Sequence, residues 1–113
     1  MDVLRIAAAL SAALAIAAGA FGAHGASEQA AEWLKTGGSY QLIHAIAALV
    51  IVERTRGGAW ALLGGSLIFA GTLYLMALGF PRWLGAITPI GGAVMIGAWL
   101  WIAYRALRHR SEQ

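Results

Sequence analysis

Six polar side chains that could take part in chemistry stand within stretches of the chain that are otherwise apolar. They are His24, Tyr40, Gln41, His44, Tyr74 and Thr88. Histidine binds metals and haem and titrates near neutral pH, while amide and hydroxyl groups bind ligands through hydrogen bonds. We predict no metal site, because no third histidine and no carboxylate accompanies His24 and His44 in the same half of the membrane. The alternative to a ligand site is that these groups only join helices through hydrogen bonds.

Residue patterns of known catalytic sites are missing from the sequence. The chain has no cysteine, which excludes disulfides, thiolate metal sites and thiol catalysis. It also has no Gly-x-Ser-x-Gly elbow, no His-Glu-x-x-His zinc motif and no phosphate-binding loop. We therefore predict no catalytic residue and a protein that is not an enzyme.

The elements that must position the polar groups follow from the spacing of the charged residues. Charges leave four apolar stretches of 18, 17, 25 and 22 residues, namely Ile6–Ala23, Thr36–Val52, Gly57–Pro81 and Trp83–Tyr104. About 20 apolar residues are needed for a helix to cross the roughly 30 Å of hydrocarbon in a bilayer. We predict an all-α protein, a four-transmembrane-helix bundle forming one integral membrane domain over residues 1–113. The helices are placed at about 4–24, 38–53, 58–79 and 84–105.

Two further features of the chain bear on its ends and its first loop. The first apolar stretch has the composition of a signal peptide, but it is longer than a usual signal core, so we expect it to remain as a helix. The segment from about 27 to 36 is predicted to be a short interfacial helix. Ser27 can cap its N-terminus, and the pair Gly37 and Gly38 is expected to end it.

Lysine and arginine residues indicate the orientation of the helices. Six of them fall on the side that holds both termini and the second loop, namely Arg5, Arg54, Arg56, Arg105, Arg108 and Arg110. The opposite side holds only Lys35 and Arg82. Because basic loops stay in the cytoplasm, we predict a multi-pass protein of the cell inner membrane with both termini cytoplasmic. In this orientation the six polar candidates meet in the outer half of the membrane.

Composition agrees with a membrane protein and argues against a nucleic-acid partner. The chain is 60% hydrophobic and 12% charged, whereas soluble domains have about 25% charged residues. The isoelectric point is about 10.0, but the basic residues lie at the ends of predicted helices, where topology and anionic lipid headgroups account for them.

Rows of small residues are predicted to hold the helices together. In lipid, helices associate through close backbone approach and polar contacts. The candidate packing residues, most of them in rows of every fourth residue, are Ser11, Ala15, Gly19, Gly71, Gly85, Pro89 and Gly97. Packing within one bundle and packing against another subunit both remain open.

Four segments resemble the signatures of a known family. They are GAFGAHG (19–25), YQLIHAIAAL (40–49), FAGTLYLMAL (69–78) and ITPIGG (87–92). These segments resemble, in the same order, those of the family catalogued as domain of unknown function 423. The family comprises the YgdD-like bacterial inner-membrane proteins, related to eukaryotic transmembrane protein 256, and the resemblance covers nearly the whole chain. The positions that match its motifs are His24, Tyr40, Gln41, His44, Thr88 and Pro89. The resemblance implies a four-helix membrane protein and no particular activity.

Three classes of function remain. We expect a non-catalytic accessory or assembly subunit, whose partners are membrane lipids and either further copies of itself or a larger membrane complex. The alternative is a protein that binds or transports a small solute, a lipid or a quinone at the outer polar cluster. An intramembrane redox or catalytic protein is the third class. No cofactor is predicted, with a bound lipid or quinone left open.

Overall fold

The computed structural model describes residues 2–111, and these residues form four long helices with no strand. The helices are α1 (Val3–His24), α2 (Glu28–Ile51), α3 (Arg56–Ala77) and α4 (Thr88–Ser111), and a 3₁₀ helix, Arg82–Ala86, precedes α4. The side chains of residues 109–111 lie outside the described part, as does the structure of residues 1, 112 and 113. The prediction of an all-helical fold is confirmed.

Side-chain caps explain where the first three helices begin. The Asp2 carboxylate accepts a hydrogen bond from the backbone N–H of Arg5 at 3.2 Å, and so caps α1. Ser27 caps α2 and Thr55 caps α3 in the same way, because each hydroxyl accepts a hydrogen bond from the backbone N–H three residues later. Such caps satisfy backbone N–H groups that have no partner inside the helix.

The separate interfacial helix predicted at about 27–36 is wrong, because α2 runs without a break from Glu28 to Ile51. Gly37 and Gly38 lie inside this helix and are buried. Glycine in a helix interior costs about 1 kcal/mol relative to alanine, but here other helices pack directly against both residues. The glycines therefore serve as contact points between helices and do not terminate α2.

The four helices do not form a closed bundle. In the part of the chain that the structure describes, α2 packs against α1 and α3, α1 also touches α3, and α4 packs against α3. No Cα atom of α4 comes within 8 Å of one in α1 or α2 over the described residues. Helices α2 and α3 are therefore central, while α1 and α4 lie on the outside.

Two apolar clusters hold the helices together, one near each end of the molecule. The larger cluster lies where α1 begins and α2 ends, and consists of Leu4, Ala8, Ala45, Ala48, Val52, Ala59 and Leu63. The smaller cluster joins the end of α3 to the 3₁₀ helix through Leu73, Met76 and Leu84. The alanines let the backbones of α1, α2 and α3 approach closely, which is the main source of helix association in lipid.

Three segments are long and apolar enough to cross a membrane, by length and composition: Val3–His24, Arg56–Ala77 and Arg82–Arg108. Their outward faces carry large apolar side chains, such as Leu10, Leu67 and Leu100. Helix α2 is not among them. Its first turns carry Glu28, Glu32 and Lys35, and polar residues follow in its middle.

Charged side chains join the ends of three helices where α1 starts. Asp2 pairs with Arg5 and with Arg56, and the other side of the Arg5 guanidinium lies 3.0 Å from the Glu53 carboxylate. The backbone N–H of Arg5 and the nearby Arg56 side chain lower the pKa of Asp2 from 3.8 to about 2. This end of the molecule is therefore linked by charge as well as by apolar packing.

Candidate functional site

A buried amide connects three helices near the middle of the molecule. Gln41 on α2 is fully buried. Its Nε2 donates a hydrogen bond to Ser11 Oγ on α1 at 2.8 Å, and its Oε1 accepts one from the Tyr74 hydroxyl on α3 at 2.5 Å. Because the amide uses its donor toward one helix and its acceptor toward another, the three bonded side chains fix the register of α1, α2 and α3.

The two glycines one turn earlier in α2 make room for this network. A Cβ atom at Gly37 would lie 2.8 Å from the Tyr74 ring, and one at Gly38 would lie 3.0 Å from the carbonyl oxygen of Ala15. Neighbouring helix positions point about 100° apart. Gly37 therefore admits α3 and Gly38 admits α1, and both partners reach Gln41.

A second polar contact links α2 to α4 across the surface of α3. Trp99 Nε1 donates a hydrogen bond to His44 Nε2 at 3.1 Å, and His44 Nδ1 lies 2.7 Å from the carbonyl oxygen of Tyr40. The indole nitrogen can only donate, so Nε2 must accept, and the Tyr40 carbonyl can only accept, so Nδ1 must carry the proton. Both contacts are satisfied by neutral imidazole protonated at Nδ1, a tautomer assigned from its partners.

Tyr40 lies at the edge of this contact and not inside it. Its ring stacks on His44 at 6.2 Å between centroids and packs against Phe69 at 4.7 Å. The residue is 45% exposed, and its hydroxyl has no hydrogen-bond partner among the described residues.

Two threonines join α3 to the start of α4. The hydroxyls of Thr72 and Thr88 are 2.6 Å apart. The Thr72 hydroxyl is also 3.0 Å from the carbonyl oxygens of Ile68 and Phe69 in its own helix, to which it can donate. Pro89 follows Thr88 in the first turn of α4, where a missing backbone N–H removes no helical hydrogen bond. The Thr88–Pro89 step is thus a helix start.

His24 does not join the other polar candidates, so the prediction that it belongs to the cluster is wrong. It is the last residue of α1, it is exposed, and Gly25 caps the helix immediately after it. The physical reason is the direction of the chain, which turns at Gly25 and leaves the imidazole beyond the packed part of the helices.

The seven residues predicted to pack helices fall into two groups in the structure, those that pack against another helix and those that do not. Ser11 and Ala15 are buried against α2. By contrast, no atom lies within 4 Å of a Cβ built at Gly19, Gly71 or Gly97.

The two remaining candidates lie at the start of α4. Gly85, in the 3₁₀ helix, would bring a Cβ to 3.7 Å from Met76 Sδ, an ordinary contact, and Pro89 is exposed. The close approach predicted within the chain is therefore wrong for Gly71, Gly85, Pro89 and Gly97. The cause is the assumed spacing, because a row of every fourth residue turns about 40° per step and soon leaves the interface. The backbone nitrogen of Gly19, by contrast, lies at the contact between α1 and α2, 3.6 Å from a Cβ placed at Gly38.

The actual crossing of α3 and α4 lies at Gly65 and Gly91. A Cβ at Gly91 would lie 2.5 Å from the backbone nitrogen of Phe69 and 2.6 Å from the carbonyl oxygen of Gly65. Among the positions of α4 whose burial is described, Gly91, Met95 and Ala98 are buried, with spacings of four and three residues. The sequence pattern indicates neither Gly91 as this contact point nor Trp99 as the partner of His44, whereas Gly65 belongs to the small residues of the third apolar stretch that are expected to pack helices.

The buried polar groups of these helices all take part in hydrogen bonds within the described chain. Every buried side-chain nitrogen or oxygen in the described residues has a hydrogen-bond partner. In the same part of the chain, no group of three or more histidine, cysteine, aspartate or glutamate residues is placed to hold a metal ion. What the polar groups visibly do is set the relative positions of four helices.

Comparisons with known proteins place this chain. A family model described as "Protein of unknown function (DUF423)" matches residues 18–92, which include Gln41, His44, Tyr74 and Thr88. A UPF0382 membrane protein of Staphylococcus epidermidis is 38% identical over 96% of this chain and 98% of its own length. A UPF0382 membrane protein of Haemophilus influenzae is 36% identical over 91% and 92%. No solved structure matches.

A further relative is the UPF0382 inner membrane protein YgdD of Escherichia coli, which is 35% identical over 93% of this chain and 89% of its own length. These relatives are membrane proteins, and three segments of this chain are long and apolar enough to cross a bilayer. The family model covers well over half of the chain. The chain is therefore a membrane protein that belongs to the DUF423 family.

Proposed function

We propose that this protein is a non-catalytic subunit of the inner membrane that spans the bilayer four times and packs, through α4, against a larger membrane assembly or a second copy of itself. The observation that carries the proposal is that one face of α4 is not covered by the rest of the described chain. Among the described residues, Cα atoms of α4 lie within 8 Å only of those in α3 and the 3₁₀ helix, and α4 reaches α2 through the Trp99–His44 hydrogen bond. A row of small residues, Pro89, Ala93 and Gly97, faces outward along it.

The open row supports close contact with another transmembrane helix. Small residues four positions apart let helix backbones approach in lipid, where apolar bulk alone gives no net attraction. The space around Gly97 is empty within 4 Å of a built Cβ. A partner helix can therefore approach α4 at Gly97 without displacing any part of this chain.

Four crossings are supported by the pairing of α1 with α2. Near the outer end, a Cβ at Gly22 would touch Leu34, and near the middle one at Gly38 would touch Ala15. Leu4 lies in the same apolar cluster as Ala48 at the other end. Because α2 accompanies α1 along its whole length, it shares the depth of α1, and its polar Gln41 faces protein.

The proposed orientation puts both termini in the cytoplasm. Arg5, Arg54, Arg56 and Arg105 all lie at the end where α1 starts and α2 ends. The opposite end holds Arg82, whose guanidinium lies 5.8 Å from the centre of the Trp33 ring. An excess of arginine at one end is the ordinary sign of the cytoplasmic side.

The polar groups of Gln41 and His44 already have hydrogen-bond partners, which supports a structural role over a catalytic one. The Gln41 amide and both nitrogens of His44 are already occupied by groups of the same chain. A reacting group would have to displace one of these buried contacts, at a cost of about 1–3 kcal/mol for each group left unpaired.

Gentle extraction followed by native mass spectrometry tests the proposal. We expect the protein to leave the membrane with a stoichiometric protein partner or as a defined oligomer. Gly97→Leu should release this partner without lowering the melting temperature of the isolated chain, since the added side chain meets open space. Gly57→Leu, a matched change at another open and exposed glycine, should leave the partner bound. A parent protein that is a lone monomer would refute the assembly role.

A specific observation favours the alternative function of lipid or quinone binding. Tyr40 is 45% exposed, its ring lies beside those of His44 and Phe69, and its hydroxyl has no hydrogen-bond partner among the described residues, so it can donate a hydrogen bond to a carbonyl-bearing ligand. The same mass spectra distinguish this alternative, which requires a small molecule that is retained by the parent and lost from Tyr40→Phe.

A further inference from the structure

A cavity of about 600 Å³ opens between the end of α2 and the second half of α4. It is distinct from the polar cluster around Gln41 and shares no lining residue with it. Its apolar lining consists of Val50, Ile51, Ile102 and Ala106. Its polar lining consists of Glu53, Arg54, Thr55 and Arg105.

Two guanidinium groups line this cavity without a carboxylate partner. Arg105 is held in place, because its Nη2 donates a hydrogen bond to the carbonyl oxygen of Arg54 at 3.2 Å and its guanidinium lies 5.9 Å from the centre of the Trp101 ring. The Arg54 guanidinium has no hydrogen bond or ion pair with any described residue. The cavity therefore combines one fixed positive group with one uncommitted positive group.

The neighbouring charges sharpen the contrast. Arg5 and Arg56, at the same end of the molecule, both pair with Asp2. Glu53 is the one carboxylate among the lining residues, and its Oε1 lies 3.0 Å from Arg5. Because Glu53 is engaged with a cation outside the cavity, the local balance of charge favours an anion between Arg54 and Arg105.

A groove between α2 and α4 continues from the cavity toward the middle of the molecule. Helices α2 and α4 both pack on α3 but do not approach each other within 8 Å at any described Cα pair. The hydrogen bond between Trp99 and His44 closes the gap. Ile51 and His44 are seven residues apart on α2, so the open part of the groove is about 10 Å long at about 1.5 Å per residue.

The geometry points to a binding site for an anionic phospholipid, with its phosphate between Arg54 and Arg105 and an acyl chain along the groove between α2 and α4. Guanidinium groups bind phosphate oxygens in a planar, often bidentate manner. Basic pockets between transmembrane helices are known to hold acidic lipid headgroups. The site depends on the membrane location of α2 and α4, and not on the proposed assembly role.

A lipid fits this site better than a soluble anion. Val50 and Ile102 present apolar surface directly beside the two arginines, and a free phosphate would leave this surface exposed. Val50 itself is 75% exposed, which is costly in water and favourable against an acyl chain. The charge selects acidic headgroups over zwitterionic ones, whose ammonium group would meet the same arginines.

Thermal unfolding in detergent, with added phosphatidylglycerol, tests the site. We expect phosphatidylglycerol to raise the melting temperature of the parent more than phosphatidylcholine does, and native mass spectra to show one retained acidic lipid. Arg54→Gln should weaken the affinity for phosphatidylglycerol roughly 5-fold or more, since one arginine near a membrane surface contributes about that factor. The Arg54 side chain has no partner in the described chain, so its replacement should leave the melting temperature without lipid unchanged.

Arg82→Gln is the matched control, because Arg82 is also exposed but lies at the opposite end of the molecule. It should bind phosphatidylglycerol as the parent does. Equal loss of affinity in Arg54→Gln and Arg82→Gln would overturn the proposal, since it would reflect net charge alone. Equal protection by inorganic phosphate at the same concentration would also overturn it, because the acyl chain would then contribute nothing.

Discussion

At the scale of single residues, Gln41 connects three helices through one side chain. An amide offers both donors and an acceptor, and Gln41 uses one of each to bind Ser11 and Tyr74 on different helices. Hydrogen bonds between transmembrane helices contribute only about 0.6–2 kcal/mol each. Their value lies in direction, because only one register of α1, α2 and α3 satisfies both ends of the amide.

Gln41→Leu should destabilise the protein by about 1–3 kcal/mol, because the Ser11 and Tyr74 hydroxyls lose their partner in a buried place. Thermal unfolding in detergent, followed by circular dichroism, measures the loss. Gln29→Leu is the control, since Gln29 is exposed in the first turn of the same helix. Equal melting temperatures for the two variants would show that the amide does not hold the helices together.

At the scale of helices, the sequence predicts lengths well and contact faces poorly. The ends of α1 and α3 lie within two residues of the predicted bounds, because charged residues mark where an apolar segment leaves the membrane. The contact face depends on a small rotation about the helix axis. Many faces of α1 and α4 are rich in alanine and glycine, so composition does not distinguish the buried face from the open one.

Helix α2 shows a second limit of sequence reasoning. A pair of glycines next to charged residues indicates a helix end when it is considered alone. In the structure, Tyr74 from α3 and the backbone of α1 occupy the space that the missing Cβ atoms leave. These partners lie more than 20 positions away along the chain, so tertiary contact decides the local conformation.

The crossing of α3 and α4 gives a prediction at this scale. Gly91→Ala should destabilise the protein by about 1–3 kcal/mol, because the new methyl group would lie 2.5 Å from the backbone nitrogen of Phe69 and neither backbone can move aside easily. Gly97→Ala makes the same change on the same helix in open space and should be neutral or slightly stabilising. Thermal unfolding in detergent compares them. A Gly91→Ala protein as stable as Gly97→Ala would mean that α4 does not cross α3 at this point.

The cap of α1 gives a prediction about pH. The backbone N–H of Arg5 and the side chain of Arg56 lower the pKa of Asp2 from 3.8 to about 2. Because the pKa is lower in the folded protein, the ionised carboxylate stabilises the fold above pH 3.8, and this contribution is lost as the pH falls toward 2. Asp2→Asn keeps an oxygen that can cap the helix but removes the charge.

The difference in melting temperature between the parent and Asp2→Asn should therefore be constant above about pH 4 and should shrink as the pH falls toward 2. The difference will be small at all pH values, because exposed ion pairs contribute little. A difference that does not change with pH would mean that the carboxylate charge of Asp2 makes no contribution to stability.

At the scale of the whole molecule, the meeting of polar groups from separate helices could be predicted only in part. Antiparallel helices of the predicted orientation bring Gln41, Tyr74 and Thr88 to similar depths, because the direction of each helix sets the order of its residues. The division into two separate contacts could not be predicted. It arises because α1 and α4 lie on opposite sides of the central pair, so Gln41 reaches α1 while His44 reaches Trp99 on α4.

The number of crossings decides how the whole molecule lies in the membrane, and the lack of native cysteine makes it measurable. Ser27 precedes α2 and Gly57 follows it, and both are exposed. If α2 crosses the bilayer, a membrane-impermeant maleimide should label Ser27→Cys in intact cells whose outer membrane is permeable, and should label Gly57→Cys only after lysis. If α2 stays on one surface, the two cysteines lie on the same side and react together.

Alternative outcomes separate the two parts of this topology. Labelling of Gly57→Cys from outside with protection of Ser27→Cys would keep four crossings but reverse the orientation, against the excess of arginine at the end that holds Arg5 and Arg105. Equal labelling of both positions would remove α2 from the membrane. That result would also contradict the packing of α2 along α1, since the Ser11 side chain that Gln41 binds lies near the middle of a segment long and apolar enough to cross a membrane.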